Sequence, residues 1–439
     1  MIANVLYLFA LAILSPWILY RRLRHDRYRL GWQTKLFGLS ANHASRLRES
    51  DRCIWLHAVS VGEVNLLGGI IDRLNALDPD LEIAISSSTD SGYQLAVQRF
   101  GDQRVFFCPL DFTWAVRRTL RNLKPAALVL AELELWPNLI RIAKQQDVKT
   151  IVINGRLSDR SAAGYQRFGF LTQSIFQSLD QVECQDDASA KNFIACGTPA
   201  ARVSISGSLK FDDAPHTRDC VEVHSRARWA GVDPWHAVWV VGSTQEGEEQ
   251  MAIDIYRHLR QSHQELRLVL VPRHPERFDR VAKLIASAGL ISHRRSVDAS
   301  LNDVSWDPDR VILVDTIGEL RHWWGVGHIA TVGGSFGDRG GQNMLEPAGY
   351  GSAISFGPNT RNFADITRRL LDAHGAVRVH DIDQLQAFVE RCLTDVPAAD
   401  ALGRSAKSVV EQHRGATDRT VTAIANLIGL PATPKCQAA

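Results

Sequence analysis

Val332-Gly-Gly-Ser-Phe-Gly-Asp-Arg-Gly-Gly-Gln-Asn-Met-Leu-Glu-Pro-Ala-Gly-Tyr-Gly351 ends an apolar run in glycines and, after a second glycine pair, starts a helix. The pattern predicts that helix from near Asn343, with Glu346 in its first turn. Glycine lets backbone amides approach a ligand closely, and a helix N-terminus offers unpaired N–H groups and a positive dipole end to a phosphate. A carboxylate beside such a turn suits ribose hydroxyls, as in dinucleotide-binding folds. A glycine-rich turn alone equally serves to close a strand–helix connection, so the rest of the chain has to decide.

Moving outward, short apolar runs alternate with amphipathic stretches. Candidate strands in the first half are Ile54–Val59, Leu81–Ser86, Arg104–Cys108, Ala126–Ala131, Lys149–Ile153, Gln181–Cys184 and Val203–Ile205. Those of the second half are His236–Val241, Leu266–Val271, Arg310–Val314, His328–Val332 and Ala353–Phe356. Apolar runs interleaved with helices imply parallel sheets built from βαβ units. The expected fold is α/β: two Rossmann-like domains facing a cleft, with ligands at the carboxyl ends of the strands. The expected layout is an N-terminal anchor with its basic flank at 1–29, a first domain at 30–215 and a linker at 216–235. A second domain follows at 236–429, and a tail at 430–439.

The bulk numbers agree with two ordinary globular domains, since 439 residues exceed one core. A formal charge of +2 gives no reason to expect nucleic acid as a partner. Seven scattered cysteines with no C-x-x-C pair argue against a disulfide framework or a zinc site. The N-terminus departs from this picture. Ile2 to Tyr20 carries no charge, and such a length of helix spans roughly 28 Å, close to the hydrocarbon thickness. Arg21, Arg22, Arg24, Arg27 and Arg29 follow at once, which places the remainder in the cytoplasm. Asn4 and Pro16 weaken a strictly spanning helix, leaving a shallow interfacial anchor as the other form.

Several turns carry chemistry. In His57-Ala-Val-Ser-Val-Gly-Glu63, Ser60 or Gly62 shapes a strand-to-helix turn and Glu63 opens the next helix. Glu63 reads either as an acid complementing the helix dipole or as a general base at the cleft edge. Glu132-Leu-Glu134-Leu-Trp-Pro-Asn138 places two acids on one face of a strand end, beside Trp136. A polar strand end explains them blandly, but carboxylates against an indole are costly to bury, which favours function. Arg156 and Lys210 lie in polar turns after later strands, either solvated or gathered to hold an anion. In the second half, Ser243, Arg273, His274, Gly318 and Glu319 sit in turns after their strands, alongside Gly334, Ser335, Asn343 and Glu346.

Eight blocks occur in one order: H-A-V-S-V-G-E, E-L-E-L-W-P-N, N-G-R-L-S-D-R-S, G-S-L-K-F-D, G-S-T-Q-E-G-E-E, P-R-H-P-E-R, D-T-I-G-E-L and G-G-Q-N-M-L-E-P-A. Together they resemble the 3-deoxy-D-manno-octulosonic acid (Kdo) transferases of lipopolysaccharide synthesis, from the anchor to about residue 365. The resemblance implies a GT-B fold, CMP-Kdo as donor substrate and inverting transfer to a lipid A precursor at the inner membrane; no compact His/Asp/Glu cluster has ligand spacing, so no metal and no cofactor are expected. It places the base on Glu63 and acceptor support on Ser60, Gly62, Glu132, Glu134, Arg156 and Lys210. CMP binding falls on Ser243, Arg273, His274, Gly318, Glu319, Gly334, Ser335, Asn343 and Glu346. Two positions depart from the family pattern, Gln245 and Gln342, where histidine is common. Glutamine donates a hydrogen bond but carries no charge. A transferase or epimerase for another nucleotide sugar, or a non-catalytic membrane scaffold, are the other readings of the same blocks.

Overall fold

The computed structural model describes residues 4, 7–9, 12, 13, 15, 16, 20, 24, 30–48, 52–298, 300, 307 and 309–430. Arg21, Arg22, Arg27 and Arg29, much of the Ile2–Tyr20 run and the tail from 431 lie outside the described residues. Among the described residues no helix is long and apolar enough to cross a membrane. The chain forms two compact units, one of residues up to Asp213 with those from Arg414 on, the other Ala214–His413.

Among the described residues, the first unit is built on a seven-stranded parallel sheet in the order β3-β2-β1-β4-β5-β6-β7. Its strands are β1 (Cys53–His57), β2 (Glu82–Ser87), β3 (Val105–Phe107), β4 (Ala127–Ala131), β5 (Lys149–Gly155), β6 (Gln181–Cys184) and β7 (Val203–Ile205). Every residue of β1 and β4 is buried, as expected where helices cover both sheet faces. The two-residue strand period then divides the side chains. Trp55 packs with Phe106 and Leu128 on one face, while Ile54 and Leu56 meet Ile70 and Leu74 on the other. Burying each such side chain contributes about 1.5–3 kcal/mol.

Helix α1 (Val61–Leu77) follows β1, α2 (Thr113–Leu123) precedes β4 and α3 (Pro137–Gln145) follows β4. In the second unit, α4 (Val221–Trp229) leads into a second parallel sheet in the order β10-β11-β9-β8-β12-β13-β14. Its strands are β8 (Ala237–Thr244), β9 (Leu266–Pro272), β10 (Ile291–Arg294), β11 (Arg310–Leu313), β12 (Ile329–Val332), β13 (Ala353–Phe356) and β14 (Ala376–Arg378). Helix α5 (Glu248–Leu259) follows β8, the short α6 (Leu345–Gly349) precedes β13, and α7 (Ala416–Leu427) returns to the first unit.

The division of the chain differs from the sequence expectation at two places. Residues 216–235, expected as a linker, belong to the second unit: α4 packs against the helix Leu320–Val326. Arg218 donates to the carbonyls of Gly325, Gly327 and Tyr350 and to the Ser352 hydroxyl. The second domain also stops short of 429. Ala416, Val421, Ile424 and Ala425 of α7 complete the same core face as Ile54 and Leu56. Asp212 fixes that return by accepting from the amides of Gly415, at 2.7 Å, and Thr417.

Each sheet reverses its winding once, between β1 and β4 in the first and between β8 and β12 in the second. Such switch points open a crevice at the carboxyl ends of parallel strands. The turns singled out in the sequence leave from these ends.

Candidate active site

In the first unit the turn after β1 is a capping box. Ser60 caps α1 by accepting from the Glu63 amide at 3.3 Å, and its hydroxyl donates to Glu63 Oε1 at 2.8 Å. The Val59 amide donates to Glu63 Oε2, also at 2.8 Å. Ser87, the last residue of β2, and Thr89 just after it donate their hydroxyls to the Val59 carbonyl and brace the turn from the other side. The dipole-complementing reading and the catalytic one therefore describe the same locked carboxylate. Glu63 is 9% exposed. Burial pushes its carboxyl above the ordinary value; the Val59 and Ser60 bonds oppose this, and the charge of Glu132 adds to it.

The acids after β4 join Glu63 electrostatically. Glu132 continues the β4–β5 pairing through its amide on the Ile153 carbonyl at 2.9 Å, with a left-handed backbone at φ 59°. That conformation costs a non-glycine residue about 1–3 kcal/mol, a strain that concentrates at functional sites. Glu134 accepts from the Trp136 indole N–H at 2.9 Å. Burial raises its carboxyl too, and the charges of Glu63 and Glu132 raise it further. The charges of the neighbouring acids thus add to burial in disfavouring the ionised forms of Glu63 and Glu134.

Arg156 is exposed after β5, and Lys210 is half-buried in the turn Leu209–Phe211. Asn154 ties these two turns together by accepting from the Leu209 amide at 3.1 Å. Neither cation forms an ion pair among the described residues. Gly62 is exposed in the first turn of α1.

In the second unit the glycine loop after β12 differs from the expected phosphate cradle. Glu248, the first residue of α5, is 6% exposed and turns its carboxylate across the switch point. It accepts from the amides of Gly334 at 2.8 Å, Ser335 at 3.1 Å, Phe336 at 3.1 Å and Gln245 at 2.8 Å. The amides of Gly334 and Ser335 are thus taken by the protein's own carboxylate. Ser335 is spent internally as well: its hydroxyl donates to the Val332 carbonyl and accepts from the Gly357 amide. Gly333 is required here, because a Cβ on it would lie 2.7 Å from Glu248 Oε2.

The predicted helix starts two residues later than expected, at Leu345, and has five residues. Asn343 lies just outside it, accepting from the Leu345 amide and holding Glu346 Oε1 at 3.3 Å. Glu319 is engaged by two protein cations, Arg295 at 3.0 Å and Arg226 at 3.6 Å, and accepts from the Trp323 indole N–H at 3.3 Å. Burial works against its charged form, but Arg295 and Arg226 overcome this and hold it below the ordinary carboxylate value. Gly318 beside it has φ 86° and open space around its α-carbon.

Ser243 sits at a bulge in β8 with φ 55°. Arg273 leaves β9 with its amide on the Thr244 carbonyl at 3.1 Å and its side chain exposed. His274 is 39% exposed and 3.9 Å from Glu276. Arg273 offers an accessible cationic group at this edge and His274 a partly exposed donor. Among the described residues no group of three or more His, Cys, Asp or Glu is disposed to hold a metal ion.

The sequence reading assigned no role to Glu248, to the Ser87–Thr89 brace, or to Tyr165, whose hydroxyl feels the charge of Glu134. Glu249 also went unassigned, though it is buried in a 2.8 Å pair with Arg277. The doubled acid after Gly247 was the available signal, and it reads by default as a helix-start preference.

A family model described as 3-Deoxy-D-manno-octulosonic-acid transferase (kdotransferase) matches residues 27–213. The 3-deoxy-D-manno-octulosonic acid transferase of Haemophilus influenzae is 32% identical over 369 residues, covering 83% of this chain and 85% of its own. That of Bordetella pertussis is 31% identical over 442 residues, covering 96% and 99%. A solved structure, the putative UDP-N-acetylglucosamine 2-epimerase from Listeria monocytogenes, matches with a TM-score of 0.55 at 10% identity, over 88% of this chain and 99% of that one. That likeness bears on the fold, two Rossmann-like units of the GT-B kind.

Proposed function

The chain belongs to the 3-deoxy-D-manno-octulosonic acid transferase family, and on that premise we propose that it moves Kdo from CMP-Kdo onto a lipid A precursor in one inverting displacement. The locked, partly desolvated carboxylate of Glu63 beside two further acids carries this reading. An acceptor hydroxyl attacks the anomeric carbon of Kdo, and its proton passes to Glu63. The bond from that carbon to the CMP phosphate oxygen breaks, and CMP leaves with the electron pair.

Arg273 and His274 supply the groups that stabilise the departing phosphate. Ser243, Gly318, Asn343 and Glu346 complete the nucleotide side, with Asn343 holding Glu346 toward ribose hydroxyls. Gly334, Ser335 and Glu319 support that edge through the structure they build. Arg156 and Lys210 meet the acceptor's anionic groups, and Glu132 and Glu134 tune the base. The apolar run Ile2–Tyr20 and the arginines behind it anchor the chain at the cytoplasmic face of the inner membrane.

The test is direct. The full chain is incubated with CMP-Kdo and a tetraacyl lipid A precursor, and the product is weighed by mass spectrometry. A product heavier by one or more Kdo residues supports the reading; unchanged precursor beside intact CMP-Kdo overturns it.

A further inference from the structure

Two helices that frame the acids after β4 begin without a side-chain cap of their own. The N-cap position of α2 is Phe112 and that of α3 is Trp136. Residues from two distant segments supply what is missing. The Thr113 amide, first of α2, donates to Asn4 Oδ1 at 3.2 Å, and Asn4 Nδ2 donates back to the Thr113 hydroxyl at 2.7 Å. Asp111 accepts from the first amides of α3, Asn138 at 2.9 Å and Leu139 at 2.7 Å.

Tyr7 donates its hydroxyl at 2.9 Å to Asp111 Oδ2, the oxygen that accepts from the Asn138 amide, and sets its ring edge-on to Phe112. The Asn138 side chain closes the circuit by donating to Asn4 Oδ1 at 3.2 Å. Asn4 and Tyr7 are three residues apart, so one helical face carries both. Leu8, Phe9 and Ile13 remain exposed.

Asn4 and Tyr7 within the apolar run therefore face the protein. Asn138 is 3% exposed and Asp111 7%, so each bond lies in a medium where an unmade partner is costly. Asn138 stands four residues after Glu134 in a segment with Pro137 between them, a short and stiff connection.

We propose that Asn4 and Tyr7 are positioning residues for acceptor use: Asn4 caps α2, Tyr7 holds the Asp111 carboxylate that caps α3, and together they set the Glu132–Trp136 loop, so the N-terminal segment is part of the site's scaffold as well as an anchor. This rests on the assignment of Glu132 and Glu134 to the acceptor side. Loosening the docking frees the start of α3 and lets the acids drift, while the nucleotide elements of the second unit are untouched.

The experiment uses the full chain in detergent and compares Asn4→Ala, Tyr7→Phe, the double variant and the conservative Asn4→Ser. Hydrogen exchange by mass spectrometry follows the peptide containing residues 132–140. Steady-state transfer gives the lipid A precursor KM, and calorimetry gives CMP affinity. Losing these bonds should speed exchange at Asn138 and Leu139 about tenfold and raise the acceptor KM about fivefold, with CMP affinity unchanged.

Flotation with phosphatidylglycerol-containing vesicles should remain as in the parent, and Asn4→Ser should recover part of the loss. Parent-like exchange and acceptor KM in the double variant would overturn the proposal and leave the segment a simple tether. If the double variant does not fold, Tyr7→Phe, which keeps the ring on Phe112, makes the same comparison. Should the parent chain transfer nothing to the precursor while exchange still responds, the docking stands and the acceptor assignment falls.

Discussion

Glu248 and Ser335 lie 87 residues apart in sequence and are joined by a 3.1 Å bond from the Ser335 amide to the Glu248 carboxylate. With the Gly334, Phe336 and Gln245 amides on the same group, an internal anion shapes the loop that the sequence offers to an external one. Only an acceptor-only group satisfies four N–H donors, so Glu248→Gln turns an N–H₂ toward some of them. We expect this variant to lose about 2 kcal/mol or more of stability and to bind CMP more weakly. Calorimetric CMP titration and thermal unfolding check this; parent-like values in both would remove Glu248 from the account of the donor edge.

Glu63→Gln keeps the shape of the capping box and removes the proton acceptor. Transfer should fall by about 10²–10⁴, while CMP affinity holds. Equal loss of CMP binding would mean that Glu63 has been given the wrong role. Ser60→Ala, which deletes the cap, should instead cost about 1 kcal/mol of stability.

Burial and the neighbouring Glu132 charge both raise the Glu63 carboxyl, so the base is protonated at a higher pH than an ordinary glutamate. The acid limb of kcat/KM should accordingly lie above the usual carboxylate range, with activity lost as pH falls through it. Glu132→Gln removes one of the raising charges and should move that limb to lower pH. A limb that stays in place, or moves upward, in the pH–rate profile would separate Glu132 from the base.

His57 is fully buried, with Nδ1 on the Ser86 hydroxyl, and burial brings it down to about 4. It stays neutral in the folded protein at a pH where the unfolded chain takes up a proton. Its contribution is complete above the ordinary histidine value near 6.5 and is lost as pH falls from there toward 4, up to about 3 kcal/mol. Buried His236, lowered to about 4 by burial and by Arg267, acts with the same sign. Thermal unfolding between pH 4 and 7 should show this slope, and His57→Gln should flatten it.

Arg273→Ala and His274→Ala should each impair donor use more than acceptor binding. A loss of about 1–2 kcal/mol in CMP affinity is expected where a charge-assisted bond to phosphate is removed. A rise confined to the acceptor KM would relocate these residues.

Much of this architecture was legible in the sequence because parallel strands announce themselves as continuous apolar runs. Twelve expected strands all correspond to observed ones, from β1 to β13. Among the described residues the two that escaped, β10 and β14, are sheet edges: Ile-Ser-His-Arg is half-exposed and Ala-Val-Arg has three residues. Edge strands pack on fewer neighbours, so composition constrains them less; the edges β3 and β7 of the first sheet were legible all the same. Site turns were found from glycines and acids at strand ends, since local backbone demands leave local marks. Glu248 on the Gly334 loop, Asn4 on Thr113 and α7 on the first core join residues far apart in sequence, and no periodicity encodes such pairs.

The return of α7 to the first core has a bearing on biosynthesis. A ribosome delivers β1 to β7 early, yet Ala416, Val421 and Ile424, which roof the sheet face carrying Ile54 and Leu56, emerge only after the whole second unit has been translated. During that interval a greasy surface stands open, and the half of the enzyme made first is the last to be sealed.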